Sequence, residues 1–306
     1  MTAYENVVVE VDDSPAGARV VELAGLHAAK AGSKLLLVTA DRSRGSGSAE
    51  LALKGAAETC ATMGAGVVET VAVAGDPATV LAEVARDRGA DLLMVGNRGL
   101  STLAGRLVGS IPGKVIGKAS CDVLVAHTTT HGRLKPITRH HRPSSYQRTI
   151  LVGVHDTAHS MRAAEKAGAL VADLDAELIL VGAYERPGRS DQGGWRRLMA
   201  PSYDVGLYMD ALGPAESYLV ARAGSSGIES ALRDGAARAR KQGVEKVETV
   251  AVPGDPVHGL LTIADERRAD IVVVGNHPQA QGLARLIGSI SSQVSRKAST
   301  HVLLVH

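Results

Sequence analysis

The chain repeats itself over the length of a whole domain. Val7 to Val11 followed by Asp12-Asp13-Ser14 parallels Ile150 to Val154 followed by His155-Asp156-Thr157. Val73-Ala74-Gly75-Asp76-Pro77 parallels Val252-Pro253-Gly254-Asp255-Pro256, and Asp91 to Asn97 parallels Asp270 to Asn276. A period this long points to duplication of a domain, because solenoid repeats are only tens of residues long. Equivalent positions are 143 residues apart at the first strand (7 and 150) but 179 apart at the Gly-Asp-Pro (75 and 254), so the second copy carries 36 extra residues between them.

Within each copy, short apolar runs alternate with longer helical patterns. In the first half the runs fall near 5–11, 34–40, 67–73, 91–96 and 122–127. They are almost continuously apolar, as parallel strands covered on both faces must be. Between the first two lies Pro15 to Ala31, whose Val20, Val21, Leu23, Ala24, Leu26 and Ala28 form a broad apolar face ahead of a Gly32 stop. In Asp76-Pro77 and Asp255-Pro256 the acid caps free amides, and the proline takes the first helical position, where no donor is needed. This β-α-β-α pattern predicts an α/β fold, a doubly wound parallel sheet of five strands in each half. The expected domains are 1–128 and 149–306, the second with an insertion near 184–227.

Composition narrows the function. With 34 Lys+Arg against 32 Asp+Glu the net charge is +2, which disfavours a dedicated nucleic-acid binder. No apolar run approaches the ~18 residues of a membrane span, and the start shows no basic segment leading into a long apolar one, so a cytoplasmic protein is expected. Cys60 and Cys121 cannot make a disulfide framework and are expected to be buried thiols. Aromatics number seven with no Phe, so Val, Leu, Ile and Ala must build the core.

The fourth strand of the first half runs into Gly96-Asn97-Arg98-Gly99, then, nine residues on, Gly109-Ser110 opens a helix. Glycines let backbone approach an anion, and a strand end feeding a helix N-terminus directs free N–H groups and a positive dipole end to one point, which suits phosphate. Ser110 serves either as N-cap or as a hydroxyl donor to that phosphate. Other nucleotide motifs fail. There is no P-loop, since Val108 and Val115 replace the glycine and hydroxyl it needs around Gly113-Lys114, and no G-x-G-x-x-G follows the first strand. Asp12 stands there instead, at the end of a central strand, where it can accept hydrogen bonds from ribose hydroxyls or cap the local turn.

Together, V-V-V-E-V-D-D-S-P, the Gly-Asp-Pro, V-G-N-R-G, the following G-S and the terminal V-L-V-A-H make the chain resemble a tandem universal stress protein over about 7–127 and 150–306. The resemblance implies two Rossmann-like domains of the adenine nucleotide alpha hydrolase type and a cytoplasmic stress regulator that binds ATP, with Mg as its counter-ion. It places phosphate on Gly96, Gly99, Gly109 and Ser110, the nucleoside on Asp12, and adenine near Thr39; Arg98, inside the loop, is a further candidate as a charge partner of the phosphates. It also implies pairing through the last strands, Asp122 to His127 and Thr300 to His306, either within the chain or in a homodimer. The protein partner is unspecified. The alternatives are a scaffold that has lost nucleotide binding and a slow ATPase. No placed general base, metal carboxylate pair or Walker lysine accompanies the loop, which weighs against catalysis.

The sequence departs from the family's pattern at three places. Pro112 replaces a hydroxyl residue two positions after Ser110. The second half keeps Gly275, Gly288, Ser289 and Ser291 but has Pro278 for the second glycine and His155 for the acid, a poorer ribose acceptor. ATP is therefore expected mainly in the first half. Thr128 to Thr149, rich in Arg and His, reads as a solvated linker and not as a metal site. The insertion holds Tyr184, Trp195, Tyr203, Tyr208 and Tyr218, five of the seven aromatics, and suggests a lid or an interface. Ser226 to Gln242 reads as a helix, leaving Arg186 to Ser225 irregular.

Overall fold

The computed structural model describes residues 2–41, 47–97, 111–127, 148–184, 214–276 and 290–306. The apolar runs form strands where the sequence places them: β1 (Asn6–Glu10), β2 (Lys34–Asp41), β3 (Val67–Ala74), β4 (Leu92–Gly96) and β5 (Asp122–Ala126) in the first half. The second half repeats them as β6 (Arg148–Val154), β7 (Ala176–Tyr184), β8 (Val247–Pro253), β9 (Ile271–Gly275) and β10 (His301–Val305). They join one sheet in the order β3-β2-β1-β4-β5-β10-β9-β6-β7-β8. Within each half the pairing is parallel, and only β5 and β10 run antiparallel, with Val125 opposite Val302 and Val123 opposite Leu304. The last strands thus pair inside the chain, which closes them to a second copy. The sheet's outer edges are β3 and β8, and the repeat carries the same ion pair at each: Glu69 with Arg88 at 3.1 Å, and Glu248 with Arg267.

Eight helices are described: α1 (Pro15–Ala31), α2 (Gly47–Thr62), α3 (Pro77–Asp87), α4 (Ile111–Ile116), α5 (Ala158–Leu174), α6 (Pro214–Lys241), α7 (Pro256–Glu266) and α8 (Ile290–Lys297). Strand side chains alternate between two apolar layers. Val7, Val9 and Val11 pack with Val20 and Ala24 of α1, while Val8, Leu36 and Leu93 pack with Leu81 and Ala85 of α3. Each layer draws residues from both halves, so the core continues across β5 and β10. Asp76 accepts from the Thr79 N–H at 3.3 Å and Asp255 from the His258 N–H at 2.7 Å, each with its proline in the first helical turn. Cys60 and Cys121 are buried, and burial pushes both thiols up to about 11, which leaves them unreactive.

One expectation needs correction. Helix is present from Pro214, not from Ser226, so the twelve residues 214–225, expected to be irregular, are helical. Gly224 and Ser225 stand just ahead of the expected start, yet a helical glycine costs only about 1 kcal/mol relative to Ala. Good formers on the amino-terminal side, from Ala215 to Ala223, and the buried face Ile228, Ala231, Leu232 and Ala236 beyond it carry the helix through. The linker 128–147 and the insertion segment 185–213 lie outside the described residues.

Candidate functional site

Chain order reverses on either side of β1: β2 lies on one side and β4 on the other. At such a switch point the crossovers leave in opposite directions, opening a crevice beyond the carboxyl ends of the strands. In the first half that crevice is bounded by the end of β1, the end of β4 and the start of α1. The structure brings Asp12, Thr39 and Gly96 to this one edge of the sheet. Arg98, Gly99, Gly109 and Ser110 lie outside the described residues, as do Gly288 and Ser289.

Asp12 follows β1 and turns its carboxylate onto the start of α1. Its Oδ1 accepts from the Ser14 N–H at 2.8 Å and from the Ser14 hydroxyl, and Ser14 Oγ in turn accepts from the Gly17 N–H at 3.0 Å. Ser14 is the N-cap, and Asp12 orients it. This needs glycine at position 17: a Cβ there would stand 2.3 Å from Asp12 Oδ1. Thr39 is half-buried and lies one residue past the last β1–β2 pair, Glu10 opposite Val38, so its backbone stands above the end of β1.

Gly96 ends β4 against the first turn of α1. A Cβ there would meet the Ala16 Cβ at 3.0 Å and the Ala16 carbonyl carbon at 3.2 Å. Its N–H donates to Glu10 Oε2 at 3.0 Å in a buried contact. Sequence reasoning missed Glu10, although an acid inside V-V-V-E-V falls by alternation on the same face as the buried Val8, and that signal was readable. Glu10→Ala strips the Gly96 N–H of this acceptor and is expected to cost about 2 kcal/mol in urea unfolding, whereas Glu10→Gln, which keeps an acceptor, should cost under about 1 kcal/mol.

The second half builds the same crevice differently. His155, at the position equivalent to Asp12, is exposed, and its backbone is closed by Ser160, whose hydroxyl donates to the His155 carbonyl at 2.9 Å and accepts from its N–H at 2.7 Å. Ser160 stands at the equivalent of Gly17, so a hydroxyl fills the space that the Asp12 carboxylate takes in the first half. Gly182, equivalent to Thr39, is covered by Ile228 of α6, 2.4 Å from where a Cβ would stand. Gly153, equivalent to Glu10, lies under Leu260 of α7. Gly275 is pressed onto α5, with the His159 carbonyl carbon 2.6 Å from a Cβ position. Ser291 donates at 3.1 Å to Asn276 Oδ1, a structural bond at the root of the crossover.

The sequence profile of the universal stress protein family matches residues 3–127 and again residues 147–306. The chain belongs to that family, in tandem form. It is similar to a universal stress protein of Mycobacterium tuberculosis, 36% identical over 162 residues that make up 53% of this chain and 98% of the relative. The crystal structure of a universal stress protein from Archaeoglobus fulgidus shares the fold across 99% of this chain and 96% of its own, with a TM-score of 0.67 at 17% identity. A universal stress protein solved in complex with cAMP is 41% identical over 42% of this chain and 100% of its own, with a TM-score of 0.40. Among the described residues no helix is long and apolar enough to cross a membrane, and no group of three or more His, Cys, Asp or Glu is placed to hold a metal ion.

Proposed function

We propose that the chain is a cytoplasmic stress regulator that binds ATP, as its Mg complex, in the first of two domains at 1–128 and 149–306. The observation that carries this reading is the switch-point crevice, with Asp12 and Gly96 on its two sides and Thr39 above the end of β1. Asp12 would hold the ribose, the backbone at Thr39 the adenine, and the loop of Gly96, Arg98, Gly99, Gly109 and Ser110 the phosphates. The second domain, with Gly275, Gly288, Ser289 and Ser291, would bind nucleotide weakly, because Ser160 and Ile228 occupy the ground that Gly17 and Ala49 leave open in the first domain. Signalling then requires that the nucleotide favour one conformation over another, since equal affinity for both shifts nothing.

A second reading has its own support. Asp12 is engaged by Ser14, and Glu10 holds the Gly96 N–H, so two groups at the crevice already have partners within the protein. This favours a scaffold without nucleotide. Mass spectrometry of the supernatant from freshly denatured protein, with titration calorimetry against ATP·Mg and against cAMP, separates the two. Copurified ATP, or micromolar binding that falls at least about tenfold in both Gly109→Ala and Asp12→Ala, is the expected result. No adenine nucleotide and no heat at millimolar ATP·Mg would leave the scaffold standing.

A further inference from the structure

A chain of buried and half-buried polar groups crosses between the halves at the edge where the second half's crevice opens. The Tyr4 hydroxyl donates to Asp122 Oδ2 at 2.8 Å, and the other oxygen of Asp122 accepts from the His306 N–H at 2.9 Å. The Tyr4 ring packs edge-on to His27 of α1, with centroids 6.2 Å apart, and carries Lys166 Nζ of α5 at 4.5 Å. Lys166 also donates to the Ala3 carbonyl, and the Ala3 N–H donates to Asp173 of α5 at 2.9 Å. Two histidines in this network are set to be neutral. His27 is buried with its Nε2 lacking any hydrogen-bond partner, and the repeat puts Leu170 at its equivalent position, so packing alone does not require an imidazole. His306 Nε2 faces the Asn276 amide nitrogen at 2.8 Å, and the amide is held in that orientation because its oxygen accepts from Ser291. A proton on His306 Nε2 would point one donor at another. The groups facing His27 are Asp173 of α5, Asp91 ahead of β4 and Tyr4, with Lys166 above the Tyr4 ring. Those facing His306 are Asp122 of β5 and His159 and Arg162 of α5.

We propose that this seam is an acid-sensitive joint, in which protonation of His27 and His306 releases α5 and the Tyr4 segment and loosens the two halves from each other. Burial holds His27 below the ordinary imidazole value against the pull of Asp173 and Asp91. Burial, aided by Arg162 and His159, does the same to His306 against Asp122. The closed seam therefore binds fewer protons than the open one. Its stability is complete above the ordinary imidazole value and is lost as pH falls through the lowered one. The joint stands on seam geometry alone and does not depend on nucleotide binding.

Amide hydrogen exchange of the full chain between about pH 7.5 and pH 5, corrected for intrinsic rates, tests it. The Ala3 and His306 amides report on the seam, and Leu37 of β2 and Leu180 of β7 serve as references within each half. Seam protection should fall about tenfold relative to the references as pH drops, and His27→Leu with His306→Gln, which keeps an acceptor for Asn276, should abolish that fall. A wild-type ratio that stays flat overturns the proposal, as does an equal fall in the double variant. If the double variant does not fold, His27→Leu alone, which copies the Leu170 of the twin half, must reduce the fall or the proposal is wrong.

Discussion

Asp122→Ala is expected to lower stability by about 3 kcal/mol, because two donors, the Tyr4 hydroxyl and the His306 N–H, lose their acceptor at once. Tyr4 is buried, and its burial together with the Asp122 charge pushes the phenol well above its ordinary value, so it remains a donor throughout the useful pH range. Tyr4→Phe removes one of the two bonds along with its donor and should cost about 1 kcal/mol, and Asp122→Asn should fall between the two. Urea unfolding at neutral pH orders the three variants. Should Asp122→Ala unfold like the wild type, the seam is not held by this carboxylate. The loss should also concentrate where the halves meet, so that limited proteolysis cuts near Ala3 before it cuts within either core.

Gly275→Ala should be costlier than Gly96→Ala, although both glycines end the fourth strand of their half. At Gly275 a methyl group meets backbone, the His159 carbonyl carbon at 2.6 Å and the Ser160 nitrogen at 2.8 Å, so α5 must move off the sheet. At Gly96 the neighbours are looser, the Ala16 Cβ at 3.0 Å and the Ala16 carbonyl carbon at 3.2 Å, so α1 needs to shift by only a few tenths of an ångström. Overpacking of this kind costs about 1–3 kcal/mol, and we expect Gly275→Ala at the upper end and Gly96→Ala near the lower. Thermal unfolding of the two variants decides it, and equal losses would remove helix–strand contact as the cause. The comparison also bears on function: both glycines have a packing reason to exist, so the glycines of the loop beyond, Gly99 and Gly109, are the sharper probes of phosphate.

The strands, the capped helices at Asp76 and Asp255 and the five-stranded halves were legible in the sequence, because each is set locally by an apolar run or by the N-cap chemistry of an acid ahead of proline. The start of α6 was not. Its first twelve residues have no helical counterpart in the first half, where the matching helix starts at Gly47, so the repeat gave no guide to them. The choice of last-strand partner was also beyond reach, since one unpaired edge serves a neighbouring half or another molecule equally well. At the crevice, Asp12, Thr39 and Gly96 stand at the carboxyl ends of their strands, as the strand reading expects. It could not show that Asp12 bends onto Gly17 or that Ser160 and Ile228 fill the twin crevice. Those substitutions lie far apart in the chain and have meaning only as neighbours in space. Glu10 is the exception, a local signal overlooked.

Because β5 meets β10 head to tail, every strand of one half points opposite to every strand of the other, and the two crevices open on opposite rims of the molecule. Whatever occupies one cannot touch what occupies the other, yet each rim is shared: the second half's crevice opens beside the strand starts of the first, where Tyr4 and Asp122 stand. Duplication has therefore produced a two-faced molecule and not a bivalent clamp: one crevice can diverge, as the Ser160 and Ile228 side has done, without altering the walls of the other.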